Sequence, residues 1–134
     1  MTIPLDGPRL KPGSGGPANA LVVFLHGLGA DGTDLIELAG PLSRVLPHAA
    51  FVAPNAPEPC DMAPFGYQWF SVRDRDPHLL SRGADGAAGP LAGFIETELA
   101  ALRLETPRLA LVGFSQGTMM ALHLGLRLVP PPAA

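Results

Sequence analysis

Leu21-Val22-Val23-Phe24-Leu25 is an unbroken apolar row, and it limits the fold more than any other stretch of the chain. A strand with one wet face alternates apolar and polar side chains. A row without alternation has to be covered on both faces, as in a parallel sheet flanked by helices. Ala50-Phe51-Val52-Ala53, closed by Pro54, and Arg108 to Phe114 are further runs of this kind.

Helical patterns lie between the runs. One is expected from Leu35 to about Leu46, capped by Thr33 or Asp34, with Pro41 marking a break or kink. Gly89 to Leu104 carries Leu91, Phe94, Ile95, Leu99 and Leu102 near helical spacing and is closed by Thr106-Pro107. Gln116 to Leu128 forms the last, ended by Pro130-Pro131-Pro132. Residues 1–20 are polar and turn-rich, and residues 54–84 form a long irregular stretch holding Phe65, Tyr67, Trp69 and Phe70. Strand, helix, strand, long loop, helix, strand, helix is the order of an α/β fold with a mostly parallel sheet and right-handed crossovers. Residues 1–134 read as a single domain, without repeat or linker.

Composition narrows the function classes. A net charge of −3 supplies no basic field for nucleic acid, and no apolar run is long enough to insert stably in a bilayer. The single Cys60 can form no internal disulfide, and the start Met-Thr-Ile-Pro-Leu-Asp-Gly has no leader pattern, so a cytoplasmic protein is expected.

Gly113-Phe114-Ser115-Gln116-Gly117 falls at the junction of a buried strand and a helix. A serine on such a turn has its hydroxyl pushed out at the carboxyl end of the sheet, with the helix amides behind it favouring negative charge. Acyl transfer also needs two backbone donors for the oxyanion. One belongs to the residue after the nucleophile, Gln116, and the other to a loop after an earlier strand. His26-Gly27-Leu28-Gly29 is such a loop, and the Leu28 N–H is the natural second donor.

Taken with Pro54-Asn55-Ala56-Pro57 and Tyr67-Gln68-Trp69-Phe70, these motifs resemble, in order and spacing, the phospholipase/carboxylesterase family of α/β-hydrolases, which includes bacterial carboxylesterases and acyl-protein thioesterases. The resemblance runs from about residue 5 to residue 128. It implies an α/β-hydrolase fold and hydrolysis of small-molecule carboxylic esters, thioesters or lysophospholipids, with no metal or organic cofactor. Ser115 would be the catalytic nucleophile, and Leu28 and Gln116 the oxyanion hole. Trp69 would belong to a loop beside the substrate's acyl group, or equally serve to pin a long loop to the core.

A serine nucleophile needs a base, and the base an orienting acid. In α/β-hydrolases both follow the serine, yet no Asp or Glu occurs after Ser115, and the sole later histidine is His123. Eight residues along a helix from Ser115, His123 would sit about 12 Å away and reads as a partly buried helix residue. His26 is better placed to brace the oxyanion loop, and His48 and His78 fall on connections. Asp31, Asp34 and Asp85 read as turn and cap residues, and Cys60 has no base beside it. The expectation is therefore an α/β-hydrolase truncated after its nucleophile helix, with the Asp and His of its triad missing. Its nucleophile strand would be left as an open edge prone to self-association. The alternatives are an inactive fragment serving as a binding or assembly module, and an enzyme with an unorthodox base.

Overall fold

The computed structural model describes residues 4–134; Met1–Ile3, part of the stretch read as lacking a leader, lie outside the described residues. Strand β2 (Ala20–Leu25) is the centre of a four-stranded sheet of order β1-β3-β2-β6. It pairs in parallel with β3 (Ala49–Val52) and β6 (Leu109–Gly113), while β1 (Arg9–Leu10) joins β3 antiparallel. The unbroken apolar row is explained by the two faces of this strand. Leu21, Val23 and Leu25 enter one core with Leu91, Ile95 and Met120, whereas Val22 and Phe24 enter another with Ala39 and Phe51. Phe24 and Phe51 stack there with ring centroids 6.0 Å apart.

The expected helix from Leu35 to Leu46 is instead two short ones, α1 (Gly32–Ile36) and α2 (Ala39–Val45). Pro41 has no N–H to continue a ladder from the preceding turn, so the break falls upstream of it, at Glu37-Leu38. The cap is neither Thr33 nor Asp34 but Asp31, whose side chain accepts from the Asp34 N–H while Asp34 reaches back to the Asp31 N–H. Within residues 54–84, β4 (Glu58–Pro59) and β5 (Tyr67–Gln68) make a small hairpin.

Helix α3 begins far earlier than its apolar spacing indicates, at Pro77, and runs to Ala101. Gly83, Gly86, Gly89 and Pro90 weaken helix propensity over that first half and hide it from a sequence reading. It starts where it does because Asp76 accepts from the His78 and Leu79 N–H groups and Pro77 follows at the first helical position. His78 is thus in a helix, and Asp85 is no turn residue: it lies in α3 and pairs with His123 of α4 (Gln116–Gly125), Nε2 to Oδ1 2.9 Å.

Within the turn-rich residues 1–20, Arg9-Leu10 forms β1. Arg9 is held by ion pairs to Asp6, at 2.8 Å, and to Glu98 of α3. The outer edge of β6 is also not bare along its whole length. The Ala133 N–H donates to the Leu109 carbonyl at 2.8 Å, and the Leu111 N–H to the Ala134 carbonyl at 3.0 Å. Next to that edge, Leu122, Leu126 and Val129 stand exposed.

Leu91 anchors α3 with no exposed surface, whereas Val45 is 72% exposed. Leu91→Ala is expected to lower unfolding free energy by about 3 kcal/mol through lost burial and a residual cavity. In urea titration the midpoint should fall with the slope unchanged, while Val45→Ala stays within about 0.5 kcal/mol of wild type.

Candidate active site

The parallel registers bring the ends of β2 and β6 side by side, Leu25 opposite Gly113. The turns that leave those two ends, His26-Gly27-Leu28 and Phe114-Ser115-Gln116, are therefore neighbours. The Phe114 N–H donates to the Leu25 carbonyl at 3.0 Å and carries the ladder one residue further.

Ser115 has φ 53° and ψ −117°, in the left-handed half of backbone space where a residue with a side chain is strained. The strain is held by close packing on both sides. A Cβ on Gly117 would lie 1.8 Å from the Leu25 carbonyl oxygen, and one on Gly113 would lie 2.5 Å from the Thr118 backbone. Only glycine lets α4 start this close to the sheet. Ser115 occupies the cap position of α4, with its side chain making no capping bond and exposed to solvent.

Ser115, Gln116 and Leu28 line one pocket of about 260 Å³ together with Val72, Leu80, Met119 and Arg75. Among the described residues, neither the Leu28 N–H nor the Gln116 N–H is paired with an acceptor in the chain. Two unpaired backbone donors beside a strained serine at a helix N-terminus can stabilise a negatively charged oxygen. Three of the four residues expected at the site thus meet. Trp69 is not part of that lining: it is buried, and borders a separate groove of about 450 Å³ along with Phe70, Leu79, Gly83 and Pro90. Val72, Arg75, Leu80 and Met119 escaped the sequence reading. Met119 alone carried a signal, one helical turn beyond Ser115; the others reach the pocket through the fold of the long loop and the hidden start of α3.

His26 is fully buried. Its Nε2 accepts from the Ala56 N–H at 2.9 Å, so the proton resides on Nδ1, which donates to the Gly27 carbonyl at 2.7 Å. The indole Nε1–H of Trp69 donates to the His26 carbonyl at 2.9 Å. The Gln116 side chain, likewise buried, accepts from the Trp69 N–H through Oε1 and donates to the Phe70 carbonyl through Nε2, each at 2.8 Å. His123 has its Nε2 paired with Asp85 of α3. Among the described residues, no group of His, Cys, Asp and Glu side chains is arranged to hold a metal ion, and no helix is long and apolar enough to cross a membrane.

The fold is that of the α/β-hydrolases. The chain belongs to the phospholipase/carboxylesterase family, whose model matches residues 12–132. It is 35% identical over 113 residues to acyl-protein thioesterase 1 of Schizosaccharomyces pombe, covering 80% of this chain and 49% of that protein. With acyl-protein thioesterase 1 of Saccharomyces cerevisiae it shares 32% over 121 residues, 84% of this chain and 53% of the relative. Among solved structures, esterase PE8 matches with a TM-score of 0.87 and 44% identity over 94% of this chain and 59% of its own. The carboxylesterase from Mesorhizobium loti matches with a TM-score of 0.66 and 26% identity, over 86% and 52% respectively. The chain spans about half the length of the curated relatives it matches.

Burial disfavours the charged imidazolium and holds His26 below its ordinary value of 6.5. The unfolded chain therefore binds that proton more readily, and the stabilisation from a neutral His26 is full above pH 6.5 and lost as pH falls below it. Asp6 and Asp61 are held below the carboxylate value of 3.8 by their bonds to Arg9 and Ser71, so their loss comes at lower pH. Urea midpoints measured downward from pH 6.5 should decline in the wild type and decline less in His26→Gln.

Proposed function

We propose that Ser115 is the nucleophile of a serine hydrolase cleaving carboxylic ester bonds, with the Leu28 and Gln116 N–H groups as its oxyanion hole. The observation that carries this assignment is the pair of unpaired backbone donors sharing one pocket with a strained, exposed serine. Attack by the Ser115 oxygen on the ester carbonyl, its proton passing to the base, would give a tetrahedral oxyanion between the two donors. Collapse would break the ester C–O bond, release the alcohol and leave an acyl-serine that water hydrolyses to the carboxylic acid. An ester is preferred over a thioester because identity to esterase PE8, 44%, exceeds that to the yeast thioesterases, 35% and 32%. A small-molecule substrate fits the pocket volume, and a reducing, cytoplasmic setting fits the single buried Cys60.

We assign the base and its orienting acid to residues outside these 134. Both ring nitrogens of His26 are engaged, His123 is committed to Asp85, and no carboxylate follows Ser115. In this reading the Ser115 hydroxyl attacks when such a base takes its proton. A second reading, a non-catalytic assembly module, draws on the exposed Leu122, Leu126 and Val129 beside the partly open β6 edge. Concentration-dependent association in sedimentation, without any labelling of Ser115, would favour it.

The test is fluorophosphonate labelling of the chain with and without added imidazole, which supplies the absent base. Labelling of the wild type should be slow and rise with imidazole, and Ser115→Ala should lower it by at least about 10³-fold. Equal labelling in Ser115→Ala would overturn the assignment.

A further inference from the structure

The two unpaired N–H groups belong to segments far apart in sequence, and both must point at one oxygen within a few tenths of an ångström to be of use. β-sheet pairing brings the segments together but ends before either donor: the ladder stops at Gly113 and the Phe114 N–H. Beyond that point no backbone hydrogen bond joins the two turns directly. The turn after β2 is bonded to the long loop through Gly29, Ala30 and Tyr67, and the link from that loop to Gln116 is made by side chains. Trp69 stands between the segments and bonds to each of them, its backbone N–H to the Gln116 carboxamide and its indole N–H to the His26 carbonyl. The second end of that carboxamide donates to the Phe70 carbonyl, so Gln116 holds backbone groups of two consecutive residues. His26 in turn fixes the Gly27 carbonyl and the Ala56 N–H through its ring, which lies 5.7 Å from the indole. An apolar side chain at position 116 would fill the space but leave the buried Trp69 N–H and Phe70 carbonyl without these partners.

We propose that the Gln116 carboxamide and the Trp69 indole are positioning residues that hold the Leu28 and Gln116 N–H groups in register with one another. The proposal rests on the oxyanion assignment above and goes beyond it. The carboxamide ties the nucleophile turn to the long loop, the indole ties the long loop to the turn after β2, and the two donors move as one unit. In a low-dielectric interior such a fully satisfied network is rigid, and losing one member loosens the others.

Gln116→Glu tests it with a readout that simple packing would not move. Protonated, the new carboxyl can accept from the Trp69 N–H and donate to the Phe70 carbonyl; ionised, it sets an anionic oxygen against that carbonyl. Burial raises its pKa above the ordinary carboxylate value. Trp69 is the sole tryptophan of the chain, so intrinsic emission reports on this one ring. Facing the pair are His26 at the indole, Glu58 and Asp74 along the groove and Arg75 across the Ser115 pocket, and the wild-type pH profile supplies their baseline. In Gln116→Glu the emission should match wild type at acid pH and shift to the red as pH rises.

Amide exchange then measures the coupling. The Gly29 and Ala30 N–H groups, bonded to the Tyr67 and Gly27 carbonyls, should exchange about tenfold faster in Gln116→Glu at alkaline pH and at the wild-type rate in acid. Trp69→Phe, which keeps a ring and removes the donor, should show the faster exchange at every pH; it also serves if the glutamate variant does not fold. Where added imidazole allows ester turnover, kcat should fall with KM held. Unchanged exchange at Gly29 and Ala30 in both variants would overturn the proposal. Absence of Ser115 labelling bears on the nucleophile and not on this coupling, which the exchange rates decide.

Discussion

Parallel pairing of β2 with β6 is the constraint on which the rest depends. Two parallel strands in register end on the same side of a sheet, so whatever turns follow them are brought together without further instruction. Here one turn is glycine-rich and leads to the Leu28 N–H, and the other leads to Ser115 and the first amide of α4. Shifting the register of β6 by one residue would turn the buried Leu109 to the opposite face and carry Ser115 away from Leu28. The apolar burial that fixes the register is thereby also what places the site. No polar contact in the pocket has to be strong enough to assemble it.

Close approach then turns placement into geometry. The absence of a single methyl group at Gly117 allows α4 to begin against the Leu25 carbonyl, and the left-handed backbone at Ser115 follows from that entry angle. Such a conformation costs on the order of 1–3 kcal/mol, which the sheet and the two apolar clusters must outweigh. The buried side chains of His26, Trp69 and Gln116 supply what packing cannot, a directional fit between elements that share no ladder.

Much of this was legible in the sequence because the strongest signals were the ones nearest the chemistry. Unbroken apolar rows gave β2, β3 and β6, and glycines at fixed offsets marked both turns. What stayed hidden was set by tertiary contact. The first half of α3 is rich in glycine and contains Pro90, so its helicity comes from the Asp76 cap and from packing, as where Gly83 meets Phe70. β1 has only two residues, and its place is set by tertiary pairing with β3 and by Arg9 reaching Glu98 across the fold. Arg75 and Val72 enter the pocket through a loop with no periodicity to read. A break in the first helical segment is expected from Pro41, but its upstream position depends on the N–H that the proline lacks, and the cap depends on the reciprocal bonds of Asp31 and Asp34.

The sheet is also a partition between two kinds of freedom. Val22, Phe24, Phe51 and Ala39 form a core on the face away from the pocket, and none of them lines it, while Val72 and Leu80 of the pocket pack on the opposite core. A change of packing behind the sheet alters how firmly the platform stands without reshaping what is built on its edge. Substitutions in front alter both at once. A lineage carrying this fold therefore has one compartment in which sequence can drift with growth temperature, and another in which drift is tied to the substrate.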